Sequence, residues 1–127
     1  MLRIRTLTLS SVTVLSLWGP AWAAECTLER ENVEDALRQA PSCAAAYKMF
    51  EDCALGASGD VPLGTAVQER CEADFLAKLD AARKSAYHRQ LAACDRKYAN
   101  KSGTIYLSFA AFCRAGAARD LAKKYAR

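Results

Sequence analysis

The chain has one histidine, His88, and its six cysteines contain no C-x-x-C spacing. Zinc needs clustered His and Cys ligands, so a zinc site is not expected, nor is a thioredoxin-type redox pair or a c-type haem attachment. There is no glycine-rich phosphate loop. Strand-like alternation, internal repeats and low-complexity linkers are missing too. No metal or other cofactor is expected, and His88 falls by spacing on the exposed side of its helix. Catalysis would require a nucleophile beside a base, a carboxylate pair in a cleft, or a metal. Acidic residues such as Glu51, Asp52, Glu72 and Asp74 fall instead on solvated helix faces. The expectation is a protein that is not an enzyme.

What is present begins with residues 1–23, which follow the pattern of a secretory signal peptide. Arg3 and Arg5 supply the positive end, "LTLSSVTVLSLW" the apolar stretch, and "GPAWA" a helix break followed by small residues at Ala21 and Ala23. The apolar stretch is shorter than the roughly 18–20 residues needed to cross a bilayer, so no stable membrane anchor is expected after cleavage. Lipid attachment at Cys26 is disfavoured by Glu25, a charge where a lipoprotein signal has a small residue. Cleavage after Ala23 would leave residues 24–127 as one secreted or periplasmic domain, without Trp18 and Trp22.

Helical periodicity dominates that domain. A first, weaker helix is expected over Asn32–Ala40, with Val33, Ala36, Leu37 and Ala40 inward and Pro41 ending it. Ser42 is a candidate N-cap for a helix whose stripe is Cys43, Ala46, Tyr47, Phe50 and Ala54. Thr65 and Gln68 read as a capping box opening a helix with Val67, Cys71, Phe75, Leu76 and Leu79 on one side. Tyr87, Leu91, Cys94 and Tyr98 mark the next. The last places Ile105, Phe109, Phe112, Cys113, Gly116 and Leu121 inward, with Arg119, Lys123, Lys124 and Arg127 near its C-terminus, where cations suit the helix dipole. Turns are expected at Gly56–Gly64 and Asn100–Gly103, and Asp80 marks either a further break or a continuous helix. The fold class is all-α, a compact bundle of four or five helices.

Alanine-rich helices leave a thin hydrophobic margin in a domain of this size, which makes cross-links important. Cys26, Cys43, Cys53, Cys71, Cys94 and Cys113 all follow the leader, and an even number in a small secreted domain reads as a disulfide framework. Cys43 and Cys53 share a helix that holds them about 15 Å apart, beyond the roughly 7 Å a disulfide allows. Cys53 and Cys71 flank the Gly56–Gly64 loop, and Cys94 and Cys113 flank the Asn100–Gly103 turn. Spacing therefore predicts Cys53–Cys71, Cys94–Cys113 and, by remainder, Cys26–Cys43.

Charge is divided along the chain. Glu25–Asp80 holds 12 acidic and 5 basic residues, whereas Ala81–Arg127 holds 2 acidic and 11 basic. Either the acidic helices pack beside the basic ones and cancel them, or the molecule keeps two faces that attract opposite partners. The basic half could touch nucleic-acid phosphates, but a secreted location argues against a nucleic-acid partner. "NKS" at Asn100–Ser102 matches a glycosylation sequon.

The run "LDAARKSAYHRQLAAC" resembles the LprI-type lysozyme-inhibitor family over about 16 residues. Leu79, Ala82, Tyr87, Arg89 and Cys94 occupy places comparable to that family's leucine, alanine, aromatic, arginine and cysteine. Arg83 stands where glutamine is usual. The resemblance implies a secreted helical domain, an inhibitor or binding module of the cell envelope that works by surface complementarity. The expected function is a non-enzymatic module that binds another envelope or extracellular protein, such as a cell-wall hydrolase, with a basic lysozyme-like partner seated on Glu25–Asp80. The alternative is a carrier of small hydrophobic ligands, with a pocket near Phe75, Phe109 and Phe112.

Overall fold

A computed structural model describes residues 26–125; the expected signal peptide, 1–23, lies outside the described residues. Five α-helices follow one another with no strand among the described residues: α1 (Arg30–Arg38), α2 (Cys43–Cys53), α3 (Asp60–Phe75), α4 (Ala81–Tyr98) and α5 (Ile105–Tyr125). A short 3₁₀ turn, Leu76–Lys78, joins α3 to α4. The helices run up and down, with α3 and α5 at the centre, α1 and α2 against α3, and α4 against α5.

Local chemistry explains most of the boundaries. Ser42 caps α2, its hydroxyl accepting from Ala45 N–H at 3.0 Å. Asp80 caps α4 by accepting from Arg83 N–H at 2.8 Å, so the chain does break there. Such caps are worth about 1 kcal/mol each. Gly56 and Gly103 hold φ of 71° and 106°, a left-handed backbone that glycine adopts without cost. Helix α1 covers Arg30–Arg38 rather than Asn32–Ala40.

Most of the expected stripe positions of α1 to α4 are the core, while Ala36, Tyr47, Ala54, Leu76 and Tyr98 are half-buried. Val33, Leu37, Cys43, Ala46, Phe50, Val67, Cys71, Phe75, Tyr87 and Leu91 are buried. Each fully buried large apolar side chain contributes about 1.5–3 kcal/mol.

Two expectations are corrected. Thr65 and Gln68 do not open a helix, because α3 begins at Asp60. Pro62 lies in its first turn, where the missing N–H has no intrahelical partner to lose. Gly64 is a contact point rather than a turn: a Cβ there would stand 2.8 Å from Ala111 Cβ and 3.1 Å from Ala111 O. This close crossing also shifts the expected inward face of α5, of which Phe112, Cys113, Gly116 and Leu121 are half-buried. Ser108, Ala111, Ala115, Ala118 and Ala122 are buried, while Ile105 and Phe109 are exposed. Helices this near leave room for small side chains only.

The disulfides are Cys26–Cys53, Cys43–Cys71 and Cys94–Cys113. The third is as expected; Cys53–Cys71 and Cys26–Cys43 are not formed. The early start of α3 is the reason. With the α2–α3 turn confined to residues 54–59, Cys53 stands at the turn, while Cys71 stands about three helical turns up α3, level with Cys43 at the far end of α2. Cys53 then takes Cys26, just ahead of α1. Three bridges of these spans contribute about 3–4 kcal/mol each.

Candidate functional site

The α2–α3 turn is held by one carboxylate. Asp60, fully buried, accepts from Leu55 N–H at 2.9 Å, Gly56 N–H at 2.7 Å, Ala57 N–H at 3.2 Å and the Ser108 hydroxyl at 2.7 Å. Arg30 approaches it at 3.5 Å and donates to Cys53 O at 3.0 Å. Burial alone would raise the Asp60 pKa, but these hydrogen bonds outweigh it and hold the carboxyl below its usual range. Asp60 thus ties α1, α2, α3 and α5 at one end of the bundle. Sequence reasoning passed over it; the signal is an acid placed just after the turn formers Gly56, Ser58 and Gly59.

A second polar chain joins α3, α4 and α5. Glu72 accepts from Tyr87 OH at 2.8 Å and from Gln68 Nε2 at 2.7 Å. Gln68 Oε1 accepts from Arg114 Nε at 3.2 Å, and Arg114 also pairs with Asp95. Burial, then the bond to Glu72, pushes the Tyr87 phenol far above its ordinary pKa. With its hydroxyl committed and its ring against Phe75, Tyr87 serves packing. Glu72 is engaged in this network rather than solvated, and Asp74 pairs with Arg70 at 2.9 Å. His88 is exposed. Among the described residues no group of three or more His, Cys, Asp or Glu could hold a metal.

Phe75, Phe109 and Phe112 do not converge on a shared pocket. Phe75 packs on Tyr87, Phe112 stacks on Phe50 at 4.2 Å between ring centroids, and Phe109 leans on Tyr98 and Tyr106. A groove of ≈ 460 Å³ does run beside the Cys94–Cys113 bridge, with Tyr47, Gln90, Lys97 and Phe112 among its walls. Arg119 lies 4.1 Å over the Tyr47 ring there. Burial raises the Tyr47 pKa, although Arg119 works against it.

The charges stay divided because they pair within their own halves. In the acidic half Arg30 meets Asp60, Arg38 meets Glu34 and Glu69, Lys48 meets Asp52, and Arg70 meets Asp74. In the basic half Arg114 meets Asp95 and Arg119 meets Asp120. Arg83–Asp80, three residues apart at the boundary, is the one described pair that joins the halves. Exposed Glu29, Glu31 and Asp35 therefore keep their charge on and beside α1, while exposed Lys84, Arg96, Lys97 and Lys101 keep theirs on and just after α4; Lys123 shares a groove with Ser42 and Asp74 of the acidic half. Glu34 and Glu69 share the single guanidinium of Arg38, whose pKa their hydrogen bonds raise.

Three disulfides suit an oxidising compartment, and no described helix is long and apolar enough to cross a membrane. The chain matches no protein-family model, no curated protein and no solved structure.

Proposed function

We propose that the protein is a secreted or periplasmic, non-enzymatic binding module that takes a basic protein, a cell-wall hydrolase such as lysozyme, on the α1 side of its acidic half. The carrying observation is the pairing of ions within each half. It leaves Glu31 and Asp35, one turn apart on α1, beside Glu29 and the shared carboxylates Glu34 and Glu69. Even with Arg30 and Arg38 on the same helix, α1 and its surroundings keep an excess of carboxylates, and such an excess attracts an oppositely charged partner and speeds the encounter. Residues 1–23 support export, the disulfides suit the compartment, and the resemblance of residues 79–94 to lysozyme inhibitors points to the partner class. A hydrophobe carrier lacks comparable support, since its expected aromatic pocket is dispersed.

The test is an activity assay of lysozyme with the oxidised protein at micromolar concentration. Inhibition or binding is expected, to be weakened by Glu31→Lys with Asp35→Lys and left unchanged by Lys123→Glu with Lys124→Glu. Unchanged lysozyme activity, together with binding indifferent to the α1 reversal, would sink this function.

A further inference from the structure

Helix α4 buries Tyr87, Leu91 and Cys94 against its neighbours. Its exposed side carries Lys84, Arg89, Arg96 and Lys97, with Lys101 just past its end. None of these five belongs to an ion pair among the described residues. The acids that could answer them are already engaged. Asp80, the N-cap, pairs with Arg83, and Asp95 pairs with Arg114. On α5, against which α4 packs, Asp120 pairs with Arg119. On α3, Glu72 accepts from Tyr87 and Asp74 pairs with Arg70.

Helix stability does not account for this placement. The dipole suits Arg96 and Lys97 in the last turn, but Arg83 and Lys84 lie in a first turn that holds no acid, where the same dipole opposes them. Exposed helix cations commonly find a carboxylate three or four residues away. Arg89, Arg96 and Lys97 have none in either direction. The row from Lys84 to Lys97 runs about 20 Å along the axis, which fits a linear anion. A bilayer has nothing to hold here, because the exposed neighbours are Ala82, Ser85, Ala86, Gln90 and Ala93, too short or too polar to enter acyl chains. The α1 side of a second copy is a shorter and mixed match, with Arg30 and Arg38 among its acids.

We propose that the exposed side of α4 binds an anionic polysaccharide, whose carboxylate or phosphate groups meet Lys84, Arg89, Arg96, Lys97 and Lys101. The choice of a polysaccharide over a nucleic acid rests on the export part of the reading above and on one further observation. Between Lys84 and Lys97 the only Phe, Tyr or Trp is Tyr87, which is buried, so bases have no exposed ring to stack on. The partner of α1 plays no part: α1 packs on α2 and α3, and α4 on α5.

The experiment is titration of fluorescein-labelled polygalacturonate, a polymer with a carboxylate on every sugar, with the oxidised protein at about 50 mM and about 300 mM salt, read by anisotropy. Saturable binding that weakens at the higher salt is expected. Lys84→Glu with Arg89→Glu, and separately Arg96→Glu with Lys97→Glu, should each weaken it at least about tenfold with the melting temperature retained. Lys123→Glu with Lys124→Glu makes the same change in net charge on α5 and should alter the affinity less than about twofold. No binding would overturn the proposal, as would an equal loss in the α5 variant, which net charge alone would produce. Tighter binding of single-stranded DNA of matched charge would assign the face to nucleic acid and overturn it. An oligomer in sedimentation equilibrium that the α4 reversals dissolve, without polygalacturonate binding by the parent, would assign the face to a second copy of the chain and overturn it too.

Discussion

Ser108, on α5, donates its hydroxyl proton to Asp60 Oδ2 at 2.7 Å, across 48 positions of sequence. Both residues are buried, and the bond pins the central helix pair to the turn that the Cys26–Cys53 bridge also closes. Asp60→Asn removes the charge that answers three backbone donors and replaces one oxygen with a competing donor. It should destabilise the protein by about 3 kcal/mol, and Ser108→Ala by about 1–2 kcal/mol, both read from denaturant unfolding.

The same carboxylate sets an acid limit. Its folded pKa is lowered, so its contribution is complete above the unfolded value of about 3.9 and is lost as pH falls through the lower folded value. The wild-type melting temperature should therefore drop below about pH 4 more steeply than that of Asp60→Asn. Parallel pH profiles for the two proteins would contradict this assignment.

Gly64 faces Ala111 with no space for a methyl group, and two of the three nearest atoms are backbone. Backbone yields less readily than a flexible side chain. Gly64→Ala should cost about 1–3 kcal/mol despite the higher helix propensity of alanine. A neutral or stabilising result in thermal unfolding would show that α3 and α5 do not meet this closely.

The buried Tyr87 hydroxyl, bonded to Glu72, sets the alkaline counterpart. Its folded pKa is raised, so its stabilisation is complete below the unfolded value of about 10 and declines as pH rises above that value, where the unfolded chain can ionise. Tyr87→Phe should cost about 1 kcal/mol at neutral pH and flatten the loss of stability between about pH 10 and 11.5. Melting curves of both proteins over that range check it.

The bridges have a direct chemical readout. Trypsin can cut at Arg30, Arg38, Lys48, Arg70, Lys78 and Arg96, which separates all six cysteines. Unreduced digests should contain the linked pairs Cys26 with Cys53, Cys43 with Cys71, and Cys94 with Cys113. A peptide joining Cys53 to Cys71 would contradict the register of α2 on α3. Cys43→Ser with Cys71→Ser should lose about 3–4 kcal/mol of stability.

Much of this fold can be read from spacing alone. The stripes Val33–Leu37, Cys43–Ala46–Phe50 and Tyr87–Leu91–Cys94 are local 3.6-residue patterns, and all are buried. Ser42 and Asp80 cap through bonds to residues three positions on. What spacing misread depends on the distance between helices. Pro62 and Gly64 carry turn chemistry in isolation, but one sits harmlessly in a first helical turn and the other admits α5. That approach selects Ala111, Ala115 and Ala118 for the core over the larger Ile105 and Phe109, and no periodicity within α5 distinguishes these faces. The disulfide register failed for the same reason, because it inherited the misplaced start of α3. For function, the divided charge was visible in the composition. Its survival in the folded molecule was not, since that depends on which side chains meet.

The central claim is that the α1 side of the acidic half seats a basic protein. Its most direct measurement is calorimetric titration of lysozyme into the oxidised protein, at about 50 mM and about 300 mM salt. The account predicts saturable one-to-one binding that weakens at the higher salt and is lost in Glu31→Lys with Asp35→Lys. No saturable heat at either salt, or binding that the α1 reversal leaves intact, would contradict it.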